Sequence, residues 1–528
     1  MAFSYNLLTE PWLPCLNQQN EIKTFSIVDA LIEAHQIKSV ESDLPIVKGA
    51  LYLFLLAFVW SVLKLDHDND WKDLWNEGKF SKEKIQSYAS RWENRFDLFD
   101  ANHPFYQDPK IGSRKKDLKN LKKGQAPEPK TISGLLLHLS SGSNATLFNH
   151  SMDDLPATYS PAEAAQLLIM LQAFSLGGMS SASIAKDRYY KDSLFGRGVL
   201  FLNRGGNLFE TLTLNLIPGN SGLINQSKND RPSWEQDDPF EVDRFSPEGP
   251  TDLLTWQSRR IHFIPHENHN TISILEFYVA PGYGVVETYQ NPFYQYRLIK
   301  SRGDQSFTPL RFRVGHSLWR DSSAILNTMS DEFKPAFPVK WSGQLKNYEI
   351  CERDMLFLDL YGMCTEPGQK KAYFYAHETF SAPSIYLHNR HLLEILERDL
   401  NLAKSVSSIL YIAVRQLSRF IVAPMHDLEN KRVPGREDTD PLMQHWNTDF
   451  QFWSRLEPAF YDYLYLLPKS EDEAFDQWER ALKSAARDSL KYVISQVGTD
   501  PSGLKASAKA ELTLNYQLKK LFNPPEEE

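Results

Sequence analysis

The stretch ALYLFLLAFVWSVL, from Ala50 to Leu63, contains no charged residue. A helix built from it is apolar on every side, so protein must surround it. The run falls short of the roughly 20 apolar residues that a bilayer span requires. We therefore expect a core helix, with helical patterning from Pro45 to Leu65. The opening MAFSYNLLTEPWLP lacks the basic start and apolar run of a secretion signal. Three cysteines, Cys15, Cys351 and Cys364, form no spaced set, which reads as thiols rather than a disulfide framework. The expectation is a cytoplasmic protein with no membrane association.

With 528 residues the chain is too long for one ordinary core. The first hundred residues read as mostly helical, with Ser26 opening a helix and Trp60, Trp71, Trp75 and Trp92 recurring through amphipathic sequence. The lysine-dense IGSRKKDLKNLKKGQAPEPK reads as an exposed loop. A helix from Ala162 to Leu176 ends at Gly177-Gly178, where glycine supplies a left-handed cap. Arg188, Lys191, Arg197 and Arg204 follow as a candidate basic surface. RRIHFIPH, TISILEFYVAP, YQYRLIK and PLRFRVG read as short strands. Beyond Pro383 come a long helical stretch after Arg390, the polar linker ENKRVPGREDTDP, and helices at Leu442–Leu466, Glu471–Val497 and Leu504–Phe522. The fold class is α+β: a large mixed domain over 1–385 and a C-terminal four-helix bundle over 386–528.

Catalytic signatures are not evident. There is no phosphate-binding G-x-x-x-x-G-K-[ST] loop and no G-x-S-x-G elbow. His262, His266 and His269 gather in HFIPHENH, one residue short of the zincin spacing, and Pro265 argues for a turn there. Asp66, Asp68 and Asp70, and again Asp438 and Asp440, lie in polar stretches beside helices, too few for a two-metal site. A net charge of -9 argues against coating nucleic acid through global electrostatics, though a local basic patch is compatible with it.

Distributed motifs give a sharper reading. They are Asn6-Leu-Leu-Thr-Glu-Pro-Trp-Leu-Pro14, His103-Pro-Phe-Tyr-Gln107, Thr146-Leu-Phe-Asn-His150, Leu216-Ile-Pro-Gly-Asn220, Arg231-Pro-x-Trp-Glu235, Asp252-Leu-Leu-Thr-Trp256 with Arg259-Arg260, and Leu318-Trp-Arg-Asp321. Together they resemble the CasA family, the large subunit of type I-E CRISPR surveillance complexes (Cascade), over nearly the whole chain. The resemblance implies a noncatalytic subunit that reads the short protospacer-adjacent motif (PAM) in duplex DNA. It opens the neighbouring base pairs, licenses R-loop formation and supports recruitment of a helicase-nuclease, while guide RNA reads the remaining sequence. Implied partners are the other Cascade subunits, the CRISPR guide RNA, double-stranded target DNA and the helicase-nuclease. No cofactor and no structural metal are expected.

By the same resemblance Gln369 is the wedge, in TEPGQKKAYF, with Gly368 and Lys370 at minor-groove positions. Gly177 and Gly178 match the family's glycine loop, where absent side chains permit close backbone approach; a plain helix cap remains the alternative. A family lysine is expected before Tyr289, yet Pro281-Gly-Tyr-Gly-Val-Val-Glu-Thr contains none. Phe148 and Asn149 fit the loop docking on the guide-RNA end and backbone subunits, unless Phe148 is core. Arg415 and Arg419, one turn apart, either contact DNA or a neighbouring subunit or form a solvated face. The competing readings are a purely structural scaffold and a metal-dependent hydrolase using the His262–His269 neighbourhood.

Overall fold

Pro45 at the first turn and Lys64, left-handed at φ 45°, bound the apolar helix as Pro45–Leu63. At 19 residues it is long and apolar enough to cross a bilayer, correcting its reading as too short, but most of it is buried in protein. This computed structural model describes residues 3–111, 129–132, 158–184, 187–223, 227–240, 244–268, 271–301, 304–347, 353–365, 372–423 and 434–523. The fold is mixed α and β, with long helices gathered at the C-terminus. The chain divides into two compact units, Met1–Val314 with Ser330–Ser381, and Gly315–Met329 with Ala382–Glu528.

In the first unit the central helix packs against the helices Pro161–Phe174 and Pro250–Leu254 and the strand Met355–Thr365. Its rings join others from distant motifs: Phe54 and Phe58 both pack on Trp234, and Phe54 also meets Phe105 and Tyr106. Two buried indole N–H groups here find partners, as such groups usually do. Trp12 Nε1 donates to the Leu7 carbonyl at 2.9 Å, and Trp234 Nε1 to Tyr88 Oη at 2.8 Å. Gln107 donates from Nε2 to the Leu98 carbonyl and accepts from the Phe263 N–H, both at 2.8 Å. Much of the sequence that carried the family resemblance is therefore core.

Five small sheets surround this centre among the described residues. One has the order Ala372–Pro383, Met355–Thr365, Leu200–Asn203; another pairs Arg259–Asn268 with Thr271–Pro281. Only six residues join Met355–Thr365 to Ala372–Pro383, too few for a crossover, so this pair is antiparallel. PLRFRVG was read as a strand, but the strand is Asp304–Pro309, paired with Tyr296–Ser301. The pairing closes at Leu310, whose N–H donates to the Gln295 carbonyl opposite it at 2.8 Å and whose own carbonyl accepts from Val199 at 3.0 Å.

In the second unit the longer helices among the described residues are Arg390–Val422, Arg436–Trp446, Thr448–Leu466, Glu471–Ser495 and Pro501–Phe522. The second helical stretch starts earlier than read, inside the polar linker, because the Asp438 carboxylate accepts from the Gly435 N–H at 2.8 Å and caps it. Asn447, left-handed at φ 43°, then breaks it in two. Asp399 is fully buried and accepts from Tyr463 Oη and Arg398 Nε, both at 2.7 Å, while its carbonyl accepts from Trp478 Nε1 at 3.1 Å. That network ties three of the long helices together.

Candidate functional site

The helix Pro161–Phe174 opens with a capping box in which Ser160 N–H donates to Glu163 at 2.8 Å. It ends two residues before the expected Leu176, with Ser175 already extended. Neither Gly177 nor Gly178 lies in the left-handed region, which corrects their reading as a cap. Gly178 instead begins a strand, Gly178–Ile184, paired antiparallel with Asp187–Tyr190. A Cβ on Gly177 would sit 2.8 Å from the Tyr190 carbonyl oxygen, so only glycine fits. A Cβ on Gly178 would meet nothing within 4 Å.

The root of this hairpin is held tightly. Gly177 N–H donates to the Asp192 carboxylate, whose other oxygen accepts from Arg197 Nε at 2.7 Å. Ser175 N–H donates to Ser193 Oγ at 3.0 Å, and Ser193 N–H to the Ser175 carbonyl at 2.8 Å. Beneath lies Arg259, only 5% exposed, fixed by the Gln172 amide, which donates to its carbonyl and accepts from its N–H, both at 2.9 Å. Burial pushes the Arg259 guanidinium down to about 10.

The second part of the site is the strand pair flanking residues 366–371. Gly196 touches both parts: a Cβ there would lie 3.0 Å from the Ser175 carbonyl oxygen and 3.5 Å from Met363 Cε. Gly362 packs as closely: a Cβ there would lie 2.9 Å from the Gly198 carbonyl oxygen. The loop 193–198 therefore couples the glycine hairpin to the strand that runs into 366–371. On the outer strand Tyr373 is 51% and Phe374 40% exposed just past that segment. Asp359 anchors the pair from below, 3.2 Å from His377 Nε2 and 3.7 Å from Arg204. Gly368, Gln369 and Lys370 lie outside the described residues, as do Phe148 and Asn149.

A lysine does reach the segment that lacks one. The Lys191 side chain lies across Gly284, where a Cβ would come within 2.6 Å of Lys191 Cγ. Lys191 is exposed and makes no ion pair among the described residues, whereas Arg197 and Arg204 are engaged by Asp192 and Asp359. Sequence spacing offered no route to this pairing; the basic run containing Lys191 was its one trace.

The remaining candidates separate. Arg415 and Arg419 belong to the second unit and are half-buried, and each Nε is buried without a hydrogen-bond partner among the described residues, so a freely solvated face is corrected. His262 and His266 stand on the strand Arg259–Asn268, whose register shifts at Ile264/Pro265, not in a turn. Burial holds His262 below its usual value; His269 lies outside the described residues. Asp70 caps the helix Asp68–Glu77 by accepting from the His67 N–H at 3.0 Å. Among the described residues no three His, Cys, Asp or Glu side chains are grouped to hold a metal.

Comparison with known proteins gives one consistent result. The family profile for CRISPR-associated protein Cse1 matches residues 6–489. The CRISPR-associated protein CasA/Cse1 of Thermus thermophilus is 28% identical over 524 residues, 96% of each chain. Cse1 from Acidimicrobium ferrooxidans superimposes with a TM-score of 0.80 at 23% identity, covering 99% of both chains. A chain of a CRISPR RNA-guided surveillance complex does so with a TM-score of 0.73 at 18% identity, covering 97% of this chain and 99% of that one.

Proposed function

The chain belongs to the CRISPR-associated Cse1 family, the large, non-catalytic subunit of type I-E Cascade, and from that premise we propose that it reads the PAM in duplex DNA and opens the base pairs beside it. The observation that carries this reading is the coupling, through the loop 193–198, of the glycine hairpin to the strand pair that bears residues 366–371. A reader and an opener must move as one body, because PAM binding has to position the wedge over the first base pair.

In this account Gln369 inserts at the tip of the strand pair, with Gly368 and Lys370 along the minor groove. Gly177 and Gly178 let the backbone approach the groove, and Lys191 supplies the cation that the segment before Tyr289 lacks. The minor groove distinguishes mainly A·T from G·C, so tolerance of several PAMs follows. With a net charge of -9, recognition is local rather than a matter of coating DNA. Phe148 and Asn149 dock at the guide-RNA end, and Arg415 and Arg419 on the bundle face DNA or a neighbouring subunit. The partners are the other Cascade subunits, guide RNA, target DNA and the helicase-nuclease recruited afterwards, all in the cytoplasm.

The test is Gln369→Ala in the guide-loaded complex, with R-loop formation followed on two targets carrying the same PAM. On a fully paired target we expect a fall of at least tenfold in the opening rate. On a target whose first protospacer pairs are already mismatched we expect the rate restored. Equal rates on the paired target would overturn the wedge assignment.

A further inference from the structure

Arg259 has no close ion pair among the described residues, yet it is almost wholly buried. Its donors go instead to three backbone carbonyls: Nη1 to Lys191 and Ser258, and Nη2 to Leu176, each at 2.8 Å. Leu176 precedes the glycine pair and Lys191 follows Tyr190, so one guanidinium closes both ends of the hairpin Gly178–Tyr190. Its Cζ also lies 4.9 Å from the Tyr190 ring centroid, against the second strand of that hairpin. A planar fork with several fixed donors suits three carbonyls in a way that a single ammonium does not. Burying a charge in this manner is costly unless its donors are paired, and the three carbonyls it holds make the junction rigid.

We infer that Arg259 is a positioning residue for PAM reading: it clamps the root of the glycine hairpin, holding Gly177, Gly178 and Lys191 in one fixed arrangement at the groove. It does not touch DNA. This rests on the reading of those residues as groove contacts. Asp192 acts on the same root from outside the core, through the Gly177 N–H.

The experiment uses the full chain and the guide-loaded complex with Arg259→Lys, which keeps the charge and loses the fork. Amide exchange of the full chain should accelerate at least tenfold over residues 176–191 and stay unchanged over the second unit. In the complex, the ratio of association rates between the preferred PAM and a scrambled one should fall about tenfold (about 1.4 kcal/mol), while a target with a pre-opened protospacer is bound normally at saturation. Gln369→Ala, run alongside, should keep that PAM ratio and lose opening, so a failed wedge and a failed clamp give different results. Unchanged exchange over 176–191, or an unchanged PAM ratio despite faster exchange, overturns the clamp. If R259K does not assemble, Asp192→Ala takes its place, with the same loss of PAM ratio expected and its absence counting against the proposal.

Discussion

At the level of single residues, the side chains that organise this protein are those whose partners lie far away in sequence. Asp399 accepts from Tyr463, and its carbonyl from Trp478, each on another helix. Asp399→Ala should lower stability by about 2–3 kcal/mol, because it strands a buried hydroxyl, and a denaturant titration of the isolated chain would measure it. Cys15 is buried, and burial first and Glu41 second push its thiol up to about 12. The folded thiol stays protonated where an unfolded one ionises, so its contribution is intact below about pH 8.5 and is lost as pH rises above that. At pH 8 an alkylating reagent should leave Cys15 unmodified in the native chain and modify it in denaturant, as peptide mass spectrometry would show. Modification at equal rates in both states would refute its burial. Gln369 became a candidate only through resemblance, from TEPGQKK, and lies outside the described residues. Arg259 stood out in sequence as half of an Arg-Arg pair, and its role was not legible there, since the carbonyls it serves belong to residues 176, 191 and 258.

At the level of elements, local patterning foretold most helices and the β-rich middle, and it failed where distant contacts decide. The apolar run was legible as a core helix because no alternative buries it. The break at Asn447 was not, since amphipathic sequence continues through it and only the backbone turns left-handed. Likewise the alternating PLRFRVG mimics a strand, but the strand stops at Pro309: Leu310 still donates to Gln295, opposite it in register, while its carbonyl accepts from Val199 in another segment. Two glycines make a contrasting pair. A Cβ on Gly49 would sit 3.0 Å from Tyr361 Cγ, whereas one on Gly178 meets open space. Gly49→Val should therefore cost about 1–3 kcal/mol through overpacking. Gly178→Val should leave the melting temperature of the isolated chain unchanged within a degree or so and still weaken PAM-dependent binding by the complex, because only the groove side is obstructed. Thermal melts and association rates on the same two preparations would decide it.

Across the whole molecule, the motifs that carried the family resemblance divide by role. Trp12, Phe105, Tyr106 and Trp234 build the aromatic centre, so these positions serve the fold rather than the groove. Residues 315–329 pack with the C-terminal helices despite their place in the middle of the chain; a short segment carries no periodic signal of where it docks. The chain's net charge of -9 argues against binding DNA through bulk charge, so in this account recognition depends on backbone approach and a placed wedge. The most direct measurement is selection of bound targets from a randomised PAM library by the guide-loaded complex, with and without this subunit. The account predicts a restricted but degenerate PAM set with the subunit and none without it. An identical PAM preference in both preparations would contradict it.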